Sequence, residues 1–352
     1  MTRVGLRCDA GPRTGVGHLV RCVALAEELT RRDVDVCFLS DLGGLSWPRH
    51  LLESRGLSWT PAPGTVDALV AAAEGRDLDA VVLDSYDLPP GTGAALRADR
   101  RAVLAIVDGD LRDQVADLYV DQNLDAENVS PPLPPGAERL AGLPYALIRE
   151  AVRRLRPAQP RPSRATGSPK VVCFFGGTDA YRAAPTIARL LVDTAAPCDA
   201  TVVAADDGLR AELAALPVRT GQRIEVIAPT DELPALLADA DLAVSASGTS
   251  TWELLCLGVP SALVWVVDNQ QAGYQRTVAR RLAVGLGHLA GLADGGPDRH
   301  AAVAALRGLL TDADGRADLG RRAWHAVDGR GVQRVADELL RRVAVATHSA
   351  GA

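Results

Sequence analysis

Four segments of the chain carry residues whose types and spacing could do chemistry. In RCDAGPRTGVGHLVRC (Arg7 to Cys22), Gly15 and Gly17 allow a tight turn and close backbone approach just before a helix that begins near His18. That places an imidazole at the positive end of a helix dipole, where the charged ring is disfavoured, so the sequence points to a neutral histidine able to act as a general base. The alternative reading is that His18 only caps its helix. The fragment lacks the third glycine of the dinucleotide fingerprint, which argues against a nicotinamide or flavin enzyme.

The second segment is SASGTSTWE (Ser245 to Glu253), where small polar residues join an apolar strand to a helix. Exposed N–H groups at such a helix start suit a diphosphate. Ser247, Gly248, Thr249 and Ser250 would hold it with backbone and hydroxyl donors, and Glu253, a turn further on, would accept hydrogen bonds from ribose hydroxyls. No metal is required by this arrangement. The third segment, FGGTD (Phe175 to Asp179), contributes Gly176, Gly177 and Thr178 as another glycine turn for the nucleotide. In the fourth, VDNQ (Val267 to Gln270), Asn269 and Gln270 are read as loop amides that project toward a sugar. Asp84 and Asp108 each follow a strand directly, and serve either as helix caps or as substrate contacts. The remaining histidines lack metal-ligand spacing.

The elements that position these residues repeat one unit: an apolar strand, a turn and an amphipathic helix. Arg3 to Cys8, Val34 to Ser40, Ala80 to Leu83, Ala102 to Val107 and a short last strand, Leu118 to Asp121, alternate with helical segments such as Leu19 to Arg31. This predicts an α/β domain with a parallel sheet covered on both faces. The run RPAQPRPSRATGSP (Arg156 to Pro169) has no periodicity and reads as an interdomain linker. The pattern then restarts with strands at Val171 to Phe175, Ala200 to Ala204, Ile224 to Ile227, Leu242 to Ser245 and Ala262 to Val266, and helices at Ala184 to Asp193 and Leu233 to Ala238. The expected organisation is a first domain over 1–157, a linker over 158–169, a second domain over 170–330, and a last helix over 331–345 packing back on the first. In open parallel sheets ligands lie beyond the carboxyl ends of the strands, which is where all four segments fall.

Composition narrows the field. The 352 residues suffice for two domains, and 47% hydrophobic with 23% charged residues is a globular balance. A net charge of −6 without a basic stripe excludes a nucleic-acid-binding surface as the main feature. No apolar run approaches the ~20 residues of a membrane helix, and Met1 to Asp9 lacks the core of a secretory signal, so a cytoplasmic protein is expected. Six scattered cysteines without a C-x-x-C pair read as reduced core residues. Lys170 stands alone among 38 basic residues, an arginine skew typical of GC-rich coding sequences such as those of soil actinomycetes.

Six motifs in order, GVGHLVRC (Gly15 to Cys22), LDSY (Leu83 to Tyr86), PYALIRE (Pro144 to Glu150), FFGGTD (Phe174 to Asp179), SASGTSTWE and VDNQ, resemble the UDP-sugar hydrolase of pseudaminic acid synthesis and the related spore-coat polysaccharide proteins. The likeness runs from Arg3 to about Arg280. It implies a GT-B fold of two Rossmann-like domains facing a nucleotide-sugar cleft, with His18 as catalytic base and Tyr86 and Asn269 as further active-site residues. It also implies that the serine-rich loop with Glu253 forms the nucleotide site. Gly15, Gly17, Arg21, Asp84, Asp108 and Gln270 are then the residues expected around sugar and acceptor. Ser85 replaces a histidine common in the hydrolases, and a long segment follows Arg280 where those enzymes stop. The expected function is therefore an inverting, metal-independent and cofactor-independent glycosyltransferase using a nucleotide-diphosphate sugar and a small-molecule acceptor, in a bacterial natural-product or polysaccharide pathway. A nucleotide-sugar hydrolase with water as acceptor, and a non-catalytic nucleotide-sugar-binding partner, remain as alternatives.

Overall fold

The computed structural model describes the backbone of residues 1–11, 15–162, 167–177, 179–293 and 295–350, and side chains as far as residue 346. The chain divides into two compact units. Unit 1 comprises Met1–Glu150 and Gly329–Ala352, and unit 2 comprises Ala151–Asp328. No helix among the described residues is long and apolar enough to cross a membrane.

Unit 1 is built on seven parallel strands: β1 (Arg3–Cys8), β2 (Asp35–Leu39), β3 (Ser58–Thr60), β4 (Ala80–Asp84), β5 (Ala102–Ile106), β6 (Leu118–Asp121) and β7 (Glu138–Ala141). They lie in the order β3-β2-β1-β4-β5-β6-β7. Every residue of β4 and β5 is buried, as expected of strands covered on both faces, which read as unbroken apolar runs. Helices α1 (Gly17–Thr30), α2 (Ser46–Glu53), α3 (Val66–Glu74) and α4 (Thr92–Ala98) follow successive strands, and α5 (Glu150–Arg153) begins where the first segment of the unit ends. On α1 the fully buried Leu19, Cys22, Val23, Ala26 and Leu29 make a stripe at helical spacing. Each buried leucine of this kind contributes roughly 1.5–3 kcal/mol.

Two features of unit 1 depart from the sequence expectation. Leu118–Asp121 is not the last strand, because β7 pairs with it through Leu118↔Glu138 to Asp121↔Ala141, and β3 was not expected at all. Both are edge strands, and β7 (Glu-Arg-Leu-Ala) carries no apolar run to announce it.

Unit 2 repeats the design with β8 (Lys170–Phe174), β9 (Cys198–Val203), β10 (Gln222–Ile227), β11 (Leu242–Ala246), β12 (Ser261–Trp265) and β13 (Val284–His288). Their order is β10-β9-β8-β11-β12-β13, again parallel throughout. The helices are α6 (Ala183–Asp193), α7 (Asp207–Ala214), α8 (Leu233–Asp239), α9 (Ser250–Leu257), α10 (Asp268–Ala279), α11 (Arg299–Thr311) and α12 (Ala313–Ala326). The VDNQ segment is not a loop: Asp268, Asn269 and Gln270 form the first turn of α10.

The last helix, α13 (Gly331–Ala350), belongs to unit 1. Its fully buried Val332, Val335, Ala336 and Leu339 join the core that contains α1. Gly331 makes the approach possible, since a Cβ there would lie 2.2 Å from the Ala146 carbonyl oxygen. The PYALIRE segment is thus a seat for this helix, with Ala146, Leu147 and Ile148 buried beneath it.

Candidate active site

In each sheet the strand order reverses direction between two adjacent strands, β1 and β4 in unit 1 and β8 and β11 in unit 2. The crevice beyond the carboxyl ends at such a switch point is where open α/β sheets bind ligands. In unit 1 the register pairs Cys8 with Asp84, the last residues of β1 and β4, so the loops that follow start level with one another. The loop after β1 doubles back through reciprocal hydrogen bonds between Gly11 and Gly15, of 3.0 and 2.8 Å. Gly15 has φ +72°, a conformation that side chains other than glycine rarely adopt. Gly17 is the first residue of α1, and His18 follows it.

The His18 ring does not cap its helix. Its Nδ1 lies 2.7 Å from Asp84 Oδ1. A carboxylate only accepts, so Nδ1 carries the hydrogen and donates it, which leaves Nε2 as the nitrogen able to take a proton. Asp84 is completely buried. Arg21, on the same helix as His18, donates Nε to Asp84 Oδ2 at 2.7 Å and Nη2 to Oδ1 at 2.6 Å. Burial alone would push the Asp84 carboxyl up, but the Arg21 charge and the hydrogen bonds from Arg21 and His18 outweigh it and hold it down at about 2.

Arg21 also reaches Asp108 by Nη1 at 2.9 Å and Nη2 at 3.1 Å. Burial opposes its charge, yet the two carboxylates more than compensate and keep the guanidinium ionised. Asp108 is likewise desolvated, and Arg21, Asn123 and Tyr86 hold it well below the usual carboxylate range. The Tyr86 hydroxyl donates to Asp108 Oδ2 at 2.8 Å, and its ring meets His18 edge-on with centroids 4.5 Å apart. Burial and the Asp108 charge push the phenol up, so Tyr86 keeps its proton and acts as a hydrogen-bonded wall beside the imidazole.

The structure therefore brings His18, Arg21, Asp84, Tyr86 and Asp108 into one network. It gives Arg21 and Asp84 a part other than the sugar contact expected of them. Both are buried and their polar atoms are taken by each other, by His18 and by Asp108, so they hold the imidazole in place. Nor do Asp84 and Asp108 cap helices. Sequence reasoning missed three members. Asn123 donates to Asp108 Oδ1 at 3.0 Å and to Asp121 Oδ1 at 2.8 Å. Arg139 holds Asp121 Oδ2 at 2.9 Å. The Arg112 guanidinium lies 4.9 Å from the centroid of the Tyr86 ring and donates to the Ser85 carbonyl. The one available signal was Asp121, a carboxylate at the end of a strand like Asp84.

In unit 2 the loop after β8 contains Gly176, with φ +76°, and Gly177; Thr178 lies outside the described residues. Asp179 accepts from the N–H groups of Ala183 and Ala184 at 2.8 and 3.0 Å and so caps α6. Burial pushes its carboxyl up despite these bonds. After the neighbouring β11, Ser247 is buried, Gly248 donates its N–H to Thr251 Oγ1 at 3.3 Å, and Thr249 sits at the N-cap of α9 without a side-chain hydrogen bond to the helix. Ser250 opens α9 and Glu253 lies buried in its first turn. Gln270, at the start of α10, accepts from Val266 N–H at 2.9 Å through Oε1. Its Nε2 lies 3.9 Å from the Cβ position of Gly248, beside the serine-rich loop. Asn269 is exposed on the same first turn. Among the described residues no group of three or more His, Cys, Asp or Glu could hold a metal ion.

No family model matches the chain, and no curated protein matches it by sequence. Its fold does match solved structures. MurG of Acinetobacter baumannii superposes with a TM-score of 0.68 at 16% identity, over 97% of this chain and 100% of that one. The spinosyn forosaminyltransferase SpnP gives 0.61 at 15% identity, over 96% and 99%. The glycosyltransferase VinC, solved in complex with dTDP, gives 0.60 at 17% identity, over 97% and 100%. The architecture is the GT-B fold.

Proposed function

We propose that the protein is a glycosyltransferase that takes a nucleotide-diphosphate sugar as donor, transfers the sugar to a small-molecule acceptor with inversion, and needs no metal. The observation that carries the reading is the His18–Asp84 pair: a carboxylate fixes the imidazole with Nδ1 protonated and leaves Nε2 to receive a proton. A base so oriented, with a buried acid to stabilise the imidazolium that forms, is the arrangement that activates hydroxyl nucleophiles.

In this mechanism His18 Nε2 removes the proton from an acceptor hydroxyl or amine. The freed oxygen or nitrogen attacks the anomeric carbon from the face opposite the diphosphate, forming the new glycosidic bond as the carbon–oxygen bond to the diphosphate breaks. The nucleoside diphosphate leaves with the electron pair. Unit 2 supplies the donor site. The Gly176–Gly177 loop and the Thr249 and Ser250 N–H groups at the amino end of α9 are donors to the growing negative charge, the Ser247 hydroxyl adds to them, and Glu253 takes the ribose. Asn269 and Gln270 contact the sugar. Two fold neighbours are described as a forosaminyltransferase and a glycosyltransferase, the second holding dTDP, which supports a nucleotide-sugar donor. The arginine-rich composition and the long segment beyond Arg280 favour a natural-product acceptor.

A second reading has water as the nucleophile, and the motifs shared with the pseudaminic-pathway hydrolase favour it. Incubating the enzyme with a panel of nucleotide sugars, with and without candidate acceptors, separates the two. The transferase reading predicts fast release of nucleoside diphosphate only when an acceptor is present. Full-speed release of free sugar without acceptor establishes the hydrolase, and no turnover of any donor leaves a non-catalytic binder.

A further inference from the structure

Unit 1 contains a cavity of about 910 Å³ that the His18 network does not use. Its walls come from the segments that follow β1, β2, β3 and β4, so it lies along the carboxyl edge of the sheet. The volume falls at the upper end of the range for small-molecule sites. Leu42, Leu45, Trp59, Val66, Leu69 and Leu88 give it an apolar body.

Its rim carries three carboxylates, Asp9, Asp41 and Asp87, against two guanidinium groups, Arg7 and Arg49, and so is negative by one charge. Arg7 is paired with Asp9 at 2.5 Å, and the Arg49 guanidinium lies over the Trp59 ring, 5.3 Å from its centroid. Asp41 and Asp87 have no such complement. Asp41 Oδ1 accepts only the N–H of Gly43, at 2.9 Å, and among the described residues neither carboxylate faces a basic partner. The cavity therefore joins an apolar surface to a rim of net negative charge on which Asp41 and Asp87 are held in no salt bridge among the described residues.

The cavity wall is also tied to the segment that holds the imidazole. Asp9, on its wall, accepts a hydrogen bond of 2.9 Å from the Ser85 hydroxyl. Ser85 lies between Asp84 and Tyr86 in the chain, and the lining residue Asp87 follows Tyr86 directly. A molecule filling this space ends next to the residues that orient His18.

We infer that this cavity binds an organic molecule with a bulky apolar body and a protonated amine, the amine directed at Asp41 and Asp87. If the glycosyltransferase reading holds, on which this part rests, that molecule is the acceptor. A sugar-like or anionic acceptor fits less well, since the first leaves the apolar walls unpaired and the second meets a rim on which carboxylates outnumber guanidinium groups.

Three matched fluorescent probes test it on the full chain: 9-(aminomethyl)anthracene, anthracene-9-methanol and anthracene-9-carboxylate. The amine should bind about 3- to 5-fold more tightly than the alcohol, as expected for solvent-exposed charge pairs, and the carboxylate more weakly than either. Asp41→Asn combined with Asp87→Asn changes only exposed side chains, and should bring amine and alcohol to the same affinity. Ala62→Trp, which places a large ring on the cavity wall, should weaken all three. Equal or tighter binding of the carboxylate, an amine preference that survives the double substitution, or indifference to Ala62→Trp would overturn the inference. Calorimetry with UDP and dTDP on the same variants reads the donor site separately. Failure to bind either nucleotide would count against the proposed function while leaving the probe result standing.

Discussion

At the switch point of unit 1 the carboxyl ends of β1 and β4, with that of the adjacent β5, lead into His18, Arg21, Asp84, Tyr86 and Asp108, ionisable side chains that hold one another in place. At the equivalent point of unit 2 the ends of β8 and β11 lead into Gly176, Gly177, Ser247, Gly248 and Thr249, small residues without an ionisable side chain. The same topology has been filled with opposite materials. A proton transfer needs a ring held at one angle and in one tautomer, which takes a buried charge network. Cradling a diphosphate needs many weak donors close together, which takes small residues and a helix start.

The contrast should show first in stability. Arg21→Met leaves the buried Asp84 and the half-buried Asp108 without their cation, and should cost about 3–5 kcal/mol in urea unfolding, the usual consequence of breaking a buried ion pair from one side. Ser250→Ala in unit 2 should cost less than about 1 kcal/mol by the same measurement. Similar losses would mean that the unit 1 network is not what holds its loops.

Acid should act on unit 1 through Asp84. Its folded value of about 2 lies below the ~3.9 of an unfolded aspartate, so the stabilisation, on the order of 2–3 kcal/mol, is complete above about pH 5 and is lost as the pH falls through 2. Melting temperatures measured from pH 6 down to 2 should fall more steeply in the wild type than in Asp84→Asn. Parallel curves would remove Asp84 as the acid-sensitive group. In unit 2 the matching effect is on binding: Glu253→Gln should weaken UDP or dTDP by about 1–3 kcal/mol in calorimetry, and unchanged affinity would take Glu253 off the ribose.

The central strands were legible in the sequence because burial on both faces demands unbroken apolar runs. Arg3–Cys8 and Leu118–Asp121 were placed to the residue, and β4, β5 and β8 to within one residue at either end. The strands that were missed, β3, β7 and β13, all lie at sheet edges, where one neighbour and partial exposure permit Ser-Trp-Thr, Glu-Arg-Leu-Ala and Val-Gly-Leu-Gly-His. Gly15, Gly17 and His18 announced a turn and a helix start, but nothing local showed that Asp84, far along the chain, would close on the imidazole. Arg112, Asn123 and Arg139 joined the network through tertiary contacts alone. VDNQ was misread as a loop because its polar residues occupy the exposed first turn of α10, where helical periodicity has not yet begun.

The account turns on His18 as the group that takes the proton. Turnover of the preferred nucleotide sugar by His18→Ala, measured alongside calorimetric affinity for the product nucleotide, tests it most directly. The account predicts a fall of ~100-fold or more in kcat, the usual contribution of a general base, with nucleotide affinity unchanged. A variant that turns over at the wild-type rate, or that loses nucleotide binding together with activity, would contradict it.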